Sequence, residues 1–514
     1  MLLLASMAHG EVAVSKVFTP HMVLQRGMDV PVYGTADPGE KVEVKFRTQS
    51  KTATADKEGR WQVKLESLEA GGPDVLTIGD QKIEDVLVGD VWIGSGQSNM
   101  QQPVSGYVGG DPVLAAAARE SYPKIRLMSQ GPKDGWKEAT PENVSGFSAL
   151  CFSFGFQLQK EVDVPIGLMV GAVGGTPSGF WLSEEMFRND DACKEAADKF
   201  AKSREYETMV GKYDAAKAKY DQEHAAWLPL AEAAKRDGKT PPPGPSRPPK
   251  PPGKPGEAGS GKIGQLFEAN IRPYVGYGIK GVLWDQGEGK TNIVGVDQVT
   301  LMGALIGGWR KDWGQGDFPF LYVQKPSGGG CAFDYSQPMN RLAEKFSPLP
   351  GGIPGVPSAD YSHEVFVQIM KYPNTHMVTS SDLGQGVHPP NKSGYAARAV
   401  QVALATAYGR KNEYLGPLYA GHKIDGDKVI VTFTHTGKGL TFKNGEALQG
   451  FMIAGEDGKF AWADSRIEGD TVVVSNGEVP HPAAVRYAWS GKFTWANLFN
   501  LDGLPAQPFR TDSW

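Results

Sequence analysis

The sequence predicts a mixed α/β protein, with a mostly parallel central sheet carrying helices and a β-rich segment at either end. Three observations carry this. Residues 12 to 88 alternate apolar and polar side chains, as at Val42, Val44, Phe46 and at Trp61, Val63, Leu65, the period-two signature of half-buried strands. From residue 89 to 413, short apolar runs (86–93, 166–173, 281–284, 318–323) each lead into a Gly-rich or polar turn, with helical stretches such as 111–120 and 396–408 between them. Strands that alternate with helices indicate a parallel sheet, with function in the loops at the strands' carboxyl ends. Residues 414 to 514 return to alternation at Val429, Val431 and Phe433 and again near Val472 to Val474.

Each element follows from local chemistry. In the first segment, turns such as Asp37-Pro-Gly and Lys57-Glu-Gly punctuate the strands, which suits a small β-sandwich. Within the second, residues 184–262 read as an insertion. Its first part, to 236, is rich in Ala, Lys and Glu and predicts a helical pair. Nine of the sixteen residues from Pro241 to Gly256 are proline, a composition expected to form an extended, solvated linker. The string Gly256-Glu-Ala-Gly-Ser-Gly-Lys262-Ile263 imitates a phosphate-binding loop, but no strand precedes it and Ile263 stands where a hydroxyl is needed.

Composition bounds the function. A chain of 514 residues implies several domains, and a net charge of −5 gives no reason to expect a nucleic-acid or anionic-membrane partner. Three cysteines without a CxxC, and nine histidines without an HExxH, argue against a disulfide scaffold and a metal site; no cofactor is expected. Trp, Tyr and Phe together number 51, and aromatic surfaces suit sugar rings. Residues 1 to 10, a short apolar run followed by small residues, read as the back half of a secretory signal and predict a secreted or periplasmic protein.

The strongest local signal is the strand-like 86–93 running into Gly-Ser-Gly96-Gln97-Ser98-Asn99-Met100. A serine on a tight turn between strand and helix is exposed, and its N–H lies near a helix N-terminus, where developing negative charge is stabilised. By spacing alone Ser98 reads as a helix cap, since serine caps are far commoner than nucleophiles. The Gly-Gln-Ser-Asn-Met string resembles the sialate O-acetylesterase family, a branch of the SGNH hydrolases, and further blocks in the same order extend the resemblance. These are Met22-Val-Leu-Gln-Arg, Ile166-Gly-Leu, Gly174-Gly-Thr-Pro, Trp284-Asp-Gln-Gly-Glu288, Val387-His-Pro-Pro-Asn-Lys392 with Arg398, and Val485-Arg-Tyr-Ala-Trp489.

The resemblance implies an SGNH-hydrolase-like domain and removal of O-acetyl groups from a carbohydrate, with sialic acid or a polysaccharide such as xylan or xyloglucan as carrier. It assigns Ser98 as nucleophile, His388 as base, and Ser98 N–H, Gly174 or Gly175 N–H and the Gln286 amide as oxyanion donors. The third triad member stays open. Relatives carry an aspartate two or three residues before the histidine, where this chain has Gln385 and Gly386. Asp382 is the first candidate, because two glycines separate it from His388 and let the loop fold back; Glu288 is the second, and a Ser-His dyad with Gln385 or water the third. The third block also departs, reading Gln286-Gly-Glu-Gly-Lys290, and Lys290 is a candidate to attract an anionic sugar. Two other readings remain: an esterase of small or lipid esters, and a catalytically degenerate glycan-binding protein.

Overall fold

The computed structural model describes residues 12–129, 131–355 and 363–513, so the expected secretory signal lies outside the described residues. The protein is mixed α/β, as expected. Its centre is a sheet of β1 (Gln81–Gly96), β2 (Tyr122–Met128), β3 (Lys137–Ala139), β4 (Ile166–Ala172), β5 (Gly281–Asp285), β6 (Phe320–Val323) and β7 (Thr375–Val378). The order is β3-β2-β4-β1-β5-β6-β7, parallel throughout except for β3. The chain leaves β1 to one side for β2 and β4, then crosses to the other for β5. The carboxyl end of β1 is therefore the topological switch point, where such sheets form a crevice.

β1 joins two sheets. Its first half pairs with Gly71–Ile78 and Val23–Gln25 in the N-terminal β structure, and its second half lies at the centre of the parallel sheet. Burial changes along it, from alternating to unbroken from Val86 onward, as expected for a strand covered on both faces. The expected boundary at residue 88 falls inside this one strand. N-terminal strands Lys41–Phe46 and Arg60–Leu65 belong to different sheets and bury Val42, Val44, Phe46, Trp61, Val63 and Leu65 into one core, as their alternation implies.

Opposite faces of the central sheet carry separate cores. Val91, Ile93, Val282 and Trp284 face the helix Gln298–Trp313 through Leu301, Leu305 and Trp309. Trp92, Leu168, Leu283 and Leu321 face the helices Ala149–Val162 and Lys392–Thr406. The C-terminal strands from Leu418 onward form two four-stranded sheets and one pair around Val431, Phe451, Val472 and Tyr487.

The insertion departs from expectation. It holds three helices, Glu184–Asn189, Asp191–Ala201 and the 33-residue Arg204–Arg236, rather than a pair. The Pro-rich stretch is packed, not a free linker: Trp227 Nε1 donates to the Pro242 carbonyl at 2.8 Å, and Gly244 lies against the same indole. Along the long helix Tyr206, Val210, Tyr213, Tyr220, His224 and Trp227 are half-buried, and so are Pro241, Pro245 and Pro248. The half-buried prolines and the half-buried side chains of the helix meet at Trp227. The segment then returns to the body, with Gly256 N–H on Val294 O at 2.8 Å and Gly259 N–H on Asn292 O at 2.9 Å.

Candidate active site

The site begins where β1 ends. Gly96 has φ +128°, and a Cβ there would stand 2.2 Å from the Asp285 carbonyl, so only glycine fits. The next residue, Gln97, donates its N–H to that carbonyl at 2.9 Å, which turns the chain at once into the four-residue helix α1 (Ser98–Gln101). Ser98 is half-buried, and its Oγ is 2.9 Å from His388 Nε2. His388 comes from the loop between β7 and α2 (Lys392–Thr406), 290 residues away, and is exposed.

None of the three candidate orienters reaches the imidazole. Asp382 is fully buried, and its carboxylate takes Arg398 at 3.1 and 2.8 Å and Asn340 Nδ2 at 3.0 Å. Glu288 pairs with Lys325 Nζ at 2.9 Å and accepts from Gln97 Nε2 and, at 3.4 Å, from Asn99 Nδ2. Gln385 is exposed, and among the described residues its side chain makes no hydrogen bond. Among the described residues, no carboxylate pairs with His388.

The expected oxyanion donors also separate. Gly174 N–H is taken by Gln101 Oε1 at 2.7 Å. The Gln286 side chain is wholly buried, its Nε2 shared between Thr176 O and Lys290 O at 3.3 Å each. Ser98 N–H and Gly175 N–H have no acceptor among the described residues. Gly175 has φ +70°, the left-handed conformation that makes successive N–H groups converge into an anion-binding concavity. Gly174 lies directly against Ser98, since a Cβ on it would sit 3.3 Å from Ser98 Cβ. Gln101, one turn beyond Ser98, therefore pins the glycine pair so that Gly175 is its free donor.

Beneath α1 lies a buried charge cluster. Lys325, just beyond β6, pairs with Asp285 at 2.8 Å and with Glu288. Burial opposes the Lys325 charge, but the two carboxylates outweigh it and hold the ammonium above the ordinary lysine value. Burial likewise opposes the Glu288 charge, and Lys325 overcomes it, so that carboxyl sits below its ordinary value. In Asp285 burial prevails and the value rises. Sequence reasoning passed over Gln101, Asn99 and Lys325. Their one legible signal was position, at or just beyond the carboxyl end of a sheet strand.

A hydroxyl and an imidazole brought together at the switch point of a parallel sheet, with free backbone donors beside them, can carry out nucleophilic ester hydrolysis; the class the fold and site define is an ester hydrolase. No protein-family model matches the chain. Human sialate O-acetylesterase is 27% identical over 464 residues, covering 80% of this chain and 75% of that protein. The mouse sialate O-acetylesterase is 28% identical over 448 residues, covering 77% and 74%. The crystal structure of a carbohydrate acetylesterase from Xanthomonas citri superposes with a TM-score of 0.71 at 27% identity, covering 98% of this chain and all of that one. These likenesses bear out the resemblance read from the sequence, and with it the expectation of an enzyme of the carbohydrate O-acetylesterase class.

Proposed function

We propose that the protein hydrolyses O-acetyl groups from a carbohydrate through an acetyl-serine intermediate, with Ser98 as nucleophile and His388 as general base in a Ser-His dyad on an SGNH-hydrolase-like sheet. The observation that carries this is the 2.9 Å contact between Ser98 Oγ and His388 Nε2. His388 Nε2 takes the hydroxyl proton as Oγ attacks the acetyl carbonyl, and the oxyanion is received by the Ser98 and Gly175 N–H groups. The imidazolium returns its proton to the departing sugar oxygen. A water then repeats the sequence on the acetyl-serine, releasing acetate and free Ser98.

The acceptor side is a cavity of about 280 Å³ lined by Gln101, Ser129, Lys133, Asp134, Phe147 and Ser148, polar groups beside one aromatic ring. Lys133 and Asp134 also border a larger cavity of about 910 Å³, which leaves room for a glycan of more than one ring. We read the apolar start of the chain as an export signal, which places the enzyme where such glycans lie. The test is acetate release from acetylated sialic acid, xylan and xyloglucan by the wild type and by Ser98→Ala. Release from at least one glycan, lost to below a few per cent in Ser98→Ala, supports the reading. Release from none of them, with hydrolysis of simple aryl acetates retained, moves the substrate away from carbohydrate.

A further inference from the structure

We infer that Asn99 and Lys392 are positioning residues that clamp the His388 loop onto the nucleophile's helix, a task that a triad carboxylate performs elsewhere. The inference rests on the Ser98–His388 reading above. Asn99, next to the nucleophile and 1% exposed, donates from Nδ2 to the carbonyl of Val387 at 2.8 Å, and Val387 immediately precedes His388. Its Oδ1 receives Lys392 Nζ at 2.6 Å. A lysine ammonium only donates, so it fixes the carboxamide with oxygen toward Lys392 and nitrogen toward Val387. Without Lys392 the amide oxygen loses its partner, the amide is held only by the 3.4 Å bond to Glu288 and the bond to Val387, and the tie on the loop loosens.

The placement of Lys392 argues for a task rather than for stability. It is 2% exposed and is the first residue of α2, where the helix dipole disfavours a cation. The groups facing it are Asp285 at the end of β5, Glu288 just beyond it, Lys325 just beyond β6, Asp111, and the Tyr107 ring, 4.7 Å from Nζ. Burial outweighs the attraction of the three carboxylates and brings its pKa down to about 7. Removal of a cation held this uncomfortably is expected to leave the fold as stable or more so, whereas loss of a purely structural contact lowers stability.

The experiment compares Lys392→Met and Asn99→Asp with the wild type on an aryl acetate. Active sites are counted by organophosphate titration of Ser98, and melting temperatures are recorded alongside. Asn99→Asp keeps an acceptor for Lys392 but removes the donor to Val387. The expected result is a kcat per titrated site about 10- to 100-fold lower in both, since small misplacements of a catalytic group cost this much. KM should hold within about threefold, with no fall in melting temperature for Lys392→Met. Wild-type kcat in either variant, or a loss that vanishes on counting active sites, overturns the clamp. Wild-type hydrolysis that is independent of Ser98 overturns the functional reading beneath it.

Discussion

Asp382 lies six residues before His388 with two glycines between, yet its carboxylate serves the interior. Both oxygens are committed to Arg398 and Asn340 with no exposure to solvent, so the residue joins β7 to α2 rather than reaching the His388 ring. Asp382→Asn is therefore expected to cost about 3–5 kcal/mol in urea unfolding, the usual effect of breaking a buried ion pair. Its kcat per titrated Ser98 should stay within about threefold. A loss approaching the ~10⁴ seen when a triad aspartate is replaced would restore it as the orienter. The motif strings pointed to Ser98 and His388, which the fold sets 2.9 Å apart. They left the orienter open because flexible glycines permit a contact without requiring it. Arg398, already visible in the same block, was the competing partner. For Gln286, motif position suggested an oxyanion donor, but burial and two carbonyl partners decide where its amide points.

At the scale of elements, legibility followed how much of each element faces water. Lys41–Phe46 and Arg60–Leu65 are buried at every second residue and were plain in the sequence. The helix Ala149–Val162 escaped notice because nine of its fourteen residues are buried, which erases the polar face that periodicity needs. The strand β2 was hidden by Pro123, Lys124 and Arg126; the last is 2% exposed and paired with Asp85 at 2.9 Å. Proline content led to the expectation of a solvated segment, since composition does not disclose the contact with Trp227. That packing is testable. Replacing residues 241–252 by a Gly/Ser bridge should uncover the helix Arg204–Arg236 and speed tryptic cleavage within it severalfold, while acetate release is unchanged. Unchanged cleavage would mean that the proline segment protects nothing.

Across the whole molecule, one strand organises function. β1 begins in the N-terminal β structure, crosses the centre of the parallel sheet, and delivers Ser98 at the point where the chain changes sides. β5 and β6 bring Asp285 and Lys325 beneath α1, and the loop after β7 brings His388 over it. Four strands of the sheet, β1, β4, β5 and β6, were readable because they contain apolar runs. The separation between His388 and the candidate acids Asp382 and Glu288 was not, because it depends on where Arg398 and Lys325 come to rest after folding. The central claim is that Ser98 carries the acetyl group between sugar and water. Its most direct measurement is mass spectrometry of the peptide containing Ser98, from enzyme quenched in acid during turnover of an aryl acetate. The account predicts an acetyl group on Ser98, absent from Ser98→Ala and cleared when the substrate is exhausted. Steady hydrolysis with Ser98 unmodified, and undiminished in Ser98→Ala, would contradict it.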